Sequence, residues 1–554
     1  PGQPLWVGTR LGVYLLDRTT GDVEELPVSL LTREIRDMVL DTNGVAWVAA
    51  FDDLVAIDVR THQVLRQFRR RPGSSHPLVA NGINALTLAP DGSIWIATDP
   101  GVIRLDPVTA TFDRLSHDPE DAQTLAGPIA RVITFDRNGL LWIGHESYGL
   151  SKHSPSAVTF SVLRKDPASE RSLSDGYIRG ITQDRAGDLW IATQNGGLNR
   201  IDGRSGRVHV YRHRPGDVRS LPGDNVWAFH EDHTGVVWVG LHTKGLGTFD
   251  PATGRFTRVD AVAANASVNV LYEDRQGTLY VGMEGIGLVT LSPDRRTVQS
   301  YGYSFGDHRV MAGNDVQSIL EDRSGMLWVG GADGLTRFDR ASGSIALYRA
   351  DPTRAGALSS SFVTNILEDS RGTIWVTTKG GGLNRYDPAT DGFTQIGTAE
   401  GLPHNFIYGI LEDAQGRLWI SSDNGIAMYD PMSGFVTRYG LADGLQAREF
   451  NRRAHLRTAD GTMYFGGING VTIFNPDRHT APPPPTVRFV TIESGGHRQP
   501  AIRFTADSVV RLRHDESAVT ISFAALDFSA PEKIQYAYRL EGVDADWVLA
   551  GNRN

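Results

Sequence analysis

The chain has no cysteine among its 554 residues, so disulfide staples and thiolate metal sites are excluded. That absence fits a cytosolic and an exported protein equally. No uninterrupted apolar run reaches the roughly 18 residues that a membrane-spanning helix needs. Pro1 begins inside a repeat with no signal peptide ahead of it, so any export signal would have to lie upstream. Positive charge is short: 55 Lys and Arg stand against 64 Asp and Glu, a net charge of −9 with a pI near 6.0. A broad nucleic-acid surface needs a basic face and is excluded. The local run RQFRRRPG (66–73) reads as a solvated loop able to meet an anion.

Chemistry-bearing motifs are missing too. Neither a P-loop nor an HExxH motif occurs. HEDH (230–233) sets its histidines three apart at a strand end and reads as a polar turn, not a zinc site. GGLNR and GGGLNR lack the strand-to-helix context of a nucleotide fingerprint. No nucleophile, base and orienting group stand out as a set, so no catalytic residue, metal or cofactor is expected.

What the sequence does have is repetition. EDRSGMLWVGGADGLTRFD (321–339) returns as DRAGDLWIATQNGGLNRID from Asp184, EDSRGTIWVTTKGGGLNRYD from Glu368 and EDAQGRLWISSDNGIAMYD from Glu412. Its aromatic anchors are Trp6, Trp47, Trp95, Trp142, Trp190, Trp238, Tyr280, Trp328, Trp375, Trp419 and Tyr464, at steps of 41 to 48 residues. Nine of the eleven tryptophans occupy this one position, which marks a repeat architecture. Within a unit, FVTNILED and TIWVTT are strands split by a Gly-bearing turn, GLNRYDP is a third and FTQIG a fourth. Four antiparallel strands per period describe a propeller blade, so the fold class is all-β. The ED..G.LW residues read as scaffold, because a catalytic group is not needed eleven times.

Eleven units exceed one ring of four to eight blades and imply tandem β-propellers. The last unit, TMYFGGINGVTIFNP, ends after its third strand, while AVTFSVLRKDP (157–167) is a strand with no blade behind it. Pairing the two gives a seven-bladed second propeller at 157–480, after a partial first propeller at 1–156 with blades expected upstream. Residues 481–554 then hold a stiff proline linker at 482–485 and a truncated Ig-like β-sandwich, read from the alternation in AVTISFAALDFSAPEKIQYAYRLEGVDADW.

Ligands of propellers usually meet the loops at one channel mouth. Here the loops from each outer strand to the next inner strand are the long, variable ones. They deliver Asp175, Tyr177, Asn225, Trp227, Asn314, Asn365, His404, Asn405, Tyr408, Glu449 and Asn451 as candidate ligand-binding residues. Trp227 is a tryptophan off the repeat position beside Asn225, and an aromatic with an amide suits sugar recognition by stacking and hydrogen bonds. The competing reading is that the asparagines cap turns and Trp227 packs into its blade.

The repeats resemble the two-component regulator propeller repeat, both in the strings above and in the loops KDPASERSLSDG (165–176), HRPGDVRSLPGDN (213–225) and DPTRAGALSSSFV (351–363). DGLQAREFNRRAHLRTADGTMYFGGINGVTIFNP (443–476) is similar to that family's closing blade. ISFAALDFSAPEKIQYAYRLEGVDADW (521–547) is similar to the Y_Y_Y domain that follows such propellers, with Tyr536, Tyr538 and Trp547 at its aromatic positions. The resemblance implies the periplasmic sensor portion of an inner-membrane receptor. Its ligand would be an oligosaccharide or other small molecule, and its output a histidine kinase or diguanylate cyclase outside this chain. It also implies a homodimer through the Y_Y_Y domain and a membrane link only through a downstream segment. The alternatives are a propeller enzyme similar to streptogramin lyase and a protein-binding scaffold.

Overall fold

The computed structural model describes residues 4–26, 34–69, 82–119, 124–154, 158–166, 169, 172–260, 262, 264–301, 311, 313–478, 487–494, 497–500, 519–528, 531, 534 and 536–551. The proline run 482–485 and the end of the RQFRRRPG run lie outside the described residues. The protein is all-β, with tandem β-propellers, the second seven-bladed, followed by a partial Ig-like β-sandwich. Among the described residues no helix is long and apolar enough to cross a membrane.

One blade shows how the repeat folds. Val316–Glu321, Leu327–Gly331, Gly334–Phe338 and Ile345–Tyr348 pair antiparallel in that order, from channel to rim. The turn between the first two is built by the Asp322 carboxylate. One oxygen accepts the amides of Ser324 (2.9 Å) and Met326 (3.0 Å), and the other accepts the Trp328 indole N–H at 2.7 Å. Gly325 sits in this turn at φ +88°, a conformation that a side chain would strain. Trp328 is thereby fixed and 2 % exposed, packed among Leu335, Leu358, Val363 and Val376, the last three from the next segment and blade. Burying an indole of about 200 Å² contributes on the order of 5 kcal/mol at about 25 cal/mol/Å². Cohesion between blades therefore comes from the repeat aromatic.

Seven such sheets lie between Val158 and His479, one of the two units into which the chain divides. Their inner strands pack side by side in sequence order, and Ile178–Gln183 packs against both Val226–Glu231 and Phe450–Arg457, so the ring closes. The seventh sheet takes Phe450–Arg457, Met463–Gly467 and Gly470–Phe474 from the end of the segment and Ser161–Leu163 from its beginning. Ser161 stands opposite Ile473, Val162 opposite Thr472 and Leu163 opposite Val471. A Cβ on Gly470, at φ +109°, would run into the Leu163 carbonyl, as one on Gly197 would meet that of Tyr211 in the first blade. The borrowed strand thus sits where a native outer strand sits elsewhere.

The other unit comprises Pro1–Ala157 and Thr480–Asn554. It holds four sheets carrying Trp6, Trp47, Trp95 and Trp142, two of four strands and two of three. Val487–Ser494 is the central strand between His497–Pro500 and Val519–Ala525, and Tyr536–Tyr538 pairs with Val548–Gly551. Tyr536 joins the two sheets: its hydroxyl accepts the Ala525 amide at 3.1 Å and its ring meets Phe523 edge-on at 5.3 Å. Tyr538 and Trp547 are exposed, with the Arg539 guanidinium 5.7 Å from the Trp547 ring.

Candidate functional site

In the second propeller, every inner strand is irregular at its mouth end. The register with the second strand skips one residue in six blades, at Arg179, Trp227, Asn269, Gln317, Thr364 and Tyr408. In the seventh blade Asn451, Arg452, Arg453 and Ala454 together stand opposite Gly466 alone. A bulge twists its strand and re-aims a side chain that the pleat would otherwise have placed. The mouth of the ring is therefore lined by bulge residues, and their chemistry differs from blade to blade.

Some of them tie blades together. Asn269 donates to the carbonyl of Val316 (3.0 Å), Thr364 to that of Ile407 (2.6 Å) and Asn451 to that of Ile178 (2.8 Å), each the first residue of the next inner strand. Arg179 and Trp227 instead form a cluster. The Arg179 guanidinium carbon lies 4.7 Å from the Tyr177 ring centre and 5.1 Å from that of Trp227, within cation–π range. The indole N–H donates to Asn225 Oδ1 at 2.8 Å, and the His242 ring lies 4.5 Å away. Arg179 also donates to Gln194 Oε1 at 2.6 Å.

The seventh-blade bulge, on the blade next to the first, reaches the same cluster. The Arg453 guanidinium carbon is 5.2 Å from the Trp227 ring, and its Nη1 donates to the carbonyl of Asn269. Arg452 donates to Gln317 Oε1 at 3.0 Å and lies 5.2 Å from the Phe362 ring. Of the six described non-glycine residues with positive φ, Arg453 (φ +66°) alone lies inside a strand. Burial, followed by repulsion from Arg452 and Arg179, outweighs Asp315 and Glu284 and pushes Arg453 down to about 9, which leaves it charged at neutral pH. Burial chiefly, with repulsion from Arg452, also lowers Arg179. A cavity of about 200 Å³ opens here along the inner strands of the first three blades, with Trp227, His230, Asn269 and Arg453 in its wall.

The structure brings Tyr177, Asn225 and Trp227 together around Arg179, and gives most of the other sequence-derived candidates partners of their own. Asp175 pins its loop by accepting the amides of Gly176 and Asn195, both at 2.9 Å. The Asn314 carbonyl accepts the Gly287 amide at 2.8 Å. Asn365 lies 2.6 Å from His455 Nε2, with burial holding His455 down to about 4 and hence neutral. His404 Nδ1 accepts the Phe406 amide (2.9 Å), and Tyr408 donates its hydroxyl to Asp423. Asn405 Oδ1 accepts the Thr398 amide at 2.9 Å. Glu449 is exposed, and its carbonyl accepts from Gln446 at 2.9 Å. Sequence reasoning missed Arg179, Arg452, Arg453 and His455. The one signal for the last three is the departure of EFNRRAHLR (449–457) from the six-residue inner strands of the other blades.

A larger cavity, about 690 Å³, lies between the fourth and fifth blades, lined by Asp322, Trp328, Arg337, Arg385 and Tyr386. Its walls are repeat positions bonded to one another: Asp322 holds Trp328, and Arg337 reaches Tyr386 and Asp391. It is a seam of the architecture. Among the described residues no group of His, Asp and Glu is placed to hold a metal ion.

Residues 172–195, 220–243, 311–333, 357–380 and 401–424 match the two-component regulator propeller model, each match spanning a loop, an inner strand and the anchor strand behind it. Among solved structures the chain is similar to the extracellular domain assigned to a hybrid two-component system, BT3049, from B. thetaiotaomicron. That match has 23% identity and TM-score 0.65 over 100% of this chain and 72% of that one. It is also similar to the extracellular domain assigned to a one-component system, BT4673, from the same organism, at 20% identity and TM-score 0.47 over 99% and 74% of the two chains. A curated relative, histidine kinase P4 of Formosa agariphila, is 29% identical over 143 residues, 24% of this chain and 10% of that protein. The chain thus spans about a tenth of the length of the curated relative it matches. In fold it resembles extracellular domains of two-component systems.

Proposed function

We propose that this chain is the ligand-reading part of a periplasmic sensor. It takes an oligosaccharide or other small molecule at the loop mouth of the second propeller and passes the signal to a histidine kinase or diguanylate cyclase elsewhere in the receptor. It performs no catalysis, and dimerises through the Y_Y_Y domain. The observation that carries this reading is the cluster of Tyr177, Trp227 and Arg179 at mouth positions the repeat leaves variable, with Asn225 orienting the indole. Aromatic rings and charged donors on a rigid ring suit recognition of a polar ligand. A ligand can bias a receptor only through different affinity for its two arrangements, and contact between sandwiches of a dimer is where that difference would be read.

Calorimetric titration of the chain against a glycan panel tests it. At least one glycan binds, and Trp227→Ala weakens that binding about tenfold, the loss of one well-placed aromatic contact. Binding by no glycan, or equal binding by Trp227→Ala, removes the mouth as the sensing site.

A further inference from the structure

The seventh-blade bulge is an expensive way to fill a channel. An apolar side chain would occupy the same space without desolvating a charge, yet the chain sends Arg452 and Arg453 across the ring to the third and fourth blades, with Arg453 held in the left-handed region. Among the described residues Arg453 Nε and Arg179 Nε are buried without a hydrogen-bond partner. Buried donors are normally satisfied, so two unsatisfied guanidinium N–H groups beside one indole call for an acceptor. Three arginine charges converge here, and the carboxylates that act on Arg453 are those of Asp315 and Glu284. Asp315 accepts from Asn269 (2.7 Å) and Gln317 (2.6 Å), both on its Oδ1.

We infer that Arg453 and Arg179, beside Trp227, form an oxyanion site for the carboxylate or sulfate of an acidic saccharide. Guanidinium groups suit such oxyanions because their N–H fork matches the spacing of the oxygens. The cavity, about 200 Å³, is smaller than the roughly 300–1,000 Å³ of whole-ligand pockets. It therefore takes only the acidic group of a sugar, with Arg453 and Trp227 in its wall and the Arg179 guanidinium 5.1 Å from the Trp227 ring. A bound oxyanion relieves the mutual repulsion of Arg179, Arg452 and Arg453, so ligand binding and tightening of the bulge are coupled. This rests on the sensor reading above and narrows it to anionic ligands.

The test uses the whole chain and four probes: a uronic-acid tetrasaccharide, its carboxyl-reduced form, a sulfated tetrasaccharide and its desulfated form. At least one acidic probe binds and its neutral counterpart does not, and added salt weakens the binding. Arg179→Gln and Arg453→Gln each lower affinity about tenfold or more, the loss of a charge-assisted contact. Arg179 lies on a different strand from the bulge, so its variant reads the site even where Arg453→Gln perturbs folding. Arg453→Lys, which keeps the charge, loses less. If the neutral forms bind as well as the acidic ones and Trp227→Ala abolishes both, the oxyanion site is wrong while the sensor reading stands. Acidic binding untouched by either arginine variant also overturns the site. Binding by none of the four overturns the site, while the wider glycan panel decides the saccharide reading.

Discussion

The two ends of the blades in the second propeller are built on opposite principles. At the turn end, one arrangement recurs from blade to blade. The turn Asp holds the anchor aromatic, as in Asp184 to Trp190 (2.8 Å), Asp232 to Trp238 (2.8 Å) and Asp369 to Trp375 (2.9 Å). The Glu before it accepts the turn amide of the preceding blade: Arg185 to Glu231 (2.8 Å), His233 to Glu273 (2.7 Å), Arg275 to Glu321 (3.0 Å), Arg323 to Glu368 (2.9 Å) and Ser370 to Glu412 (2.7 Å). At the mouth end, the equivalent bulge positions carry Arg, Trp, Asn, Gln, Thr and Tyr, and of these Asn269 and Thr364 share a use, each donating to the first carbonyl of the next inner strand. Repetition marks a task done once per blade, which is architecture. A task done once per ring leaves no repeat.

The exceptions at the turn end support this. The seventh blade has Arg457 and Thr458 in place of Glu and Asp; there Asp477 accepts the Ala414 amide at 2.9 Å and pairs with Arg457 at 2.9 Å. The first blade has Gln183 in place of Glu, and its amide turns back to the Gly187 carbonyl. The joint for which neither a Glu nor Asp477 accepts the turn amide is the one where chain start meets chain end, beside the sheet that Ser161–Leu163 completes.

The largest effect that would sharpen the comparison is on an anchor. Trp328→Ala empties the seam between two blades and should cost about 3–5 kcal/mol, read as a lower midpoint in denaturant unfolding. Next comes the ion cluster behind the clamps. Arg295 bridges Asp232 (2.9 Å) and Glu273 (2.6 Å), on two neighbouring blades. Burial would raise Asp232, but hydrogen bonds from Thr234, Trp238 and Arg295 overcome it and hold the group well below its ordinary value. Glu273 is likewise raised by burial and then lowered further by His233 and Arg295. Both folded values lie below the unfolded ones, so their stabilisation is complete above about pH 4.5 and is lost as pH falls through the folded values. Arg295→Ala should cost about 1.5–3 kcal/mol at pH 7. The Asp232→Asn and Glu273→Gln pair should flatten the acid limb of a melting-temperature profile, and an unchanged acid limb would show the clamps to be incidental.

Much of the fold is legible in the sequence because its period is carried by one large aromatic, and the closing strand is legible because the last unit lacks a fourth strand. Tyr177, Asn225 and Trp227 are legible as aromatics and an amide off the repeat. Arg179, Arg452 and Arg453 are not, for a geometric reason. Reading EFNRRAHLR as an unbroken strand alternates its side chains between faces and sends Arg452 and Arg453 in opposite directions. The bulge between Phe450 and His455 cancels that alternation and brings both into the channel. Nor does local sequence tell which amides are spent between blades: Asn451 binds the first blade's Ile178 carbonyl, 273 residues away in the chain.

The smallest effects belong at the mouth, and they test whether it is free of structural duty. Asn269→Ala and Asn451→Ala remove single links between blades and should each cost about 1 kcal/mol. Glu449 is exposed, and the contact its residue makes to Gln446 uses the backbone carbonyl, which a side-chain change keeps. Glu449→Ala should therefore shift stability by no more than about 0.5 kcal/mol, as exposed substitutions do. Trp227→Ala is the informative intermediate. Its indole is half-buried, and its contacts are to Arg179, Arg453, His242 and Asn225. Removing it relieves no charge repulsion, so it should destabilise the ring by about 1 kcal/mol, far less than Trp328→Ala. A loss for Trp227→Ala equal to that for Trp328→Ala would mean that the mouth tryptophan is a packing residue after all, and the contrast between the two ends of the blade would fail.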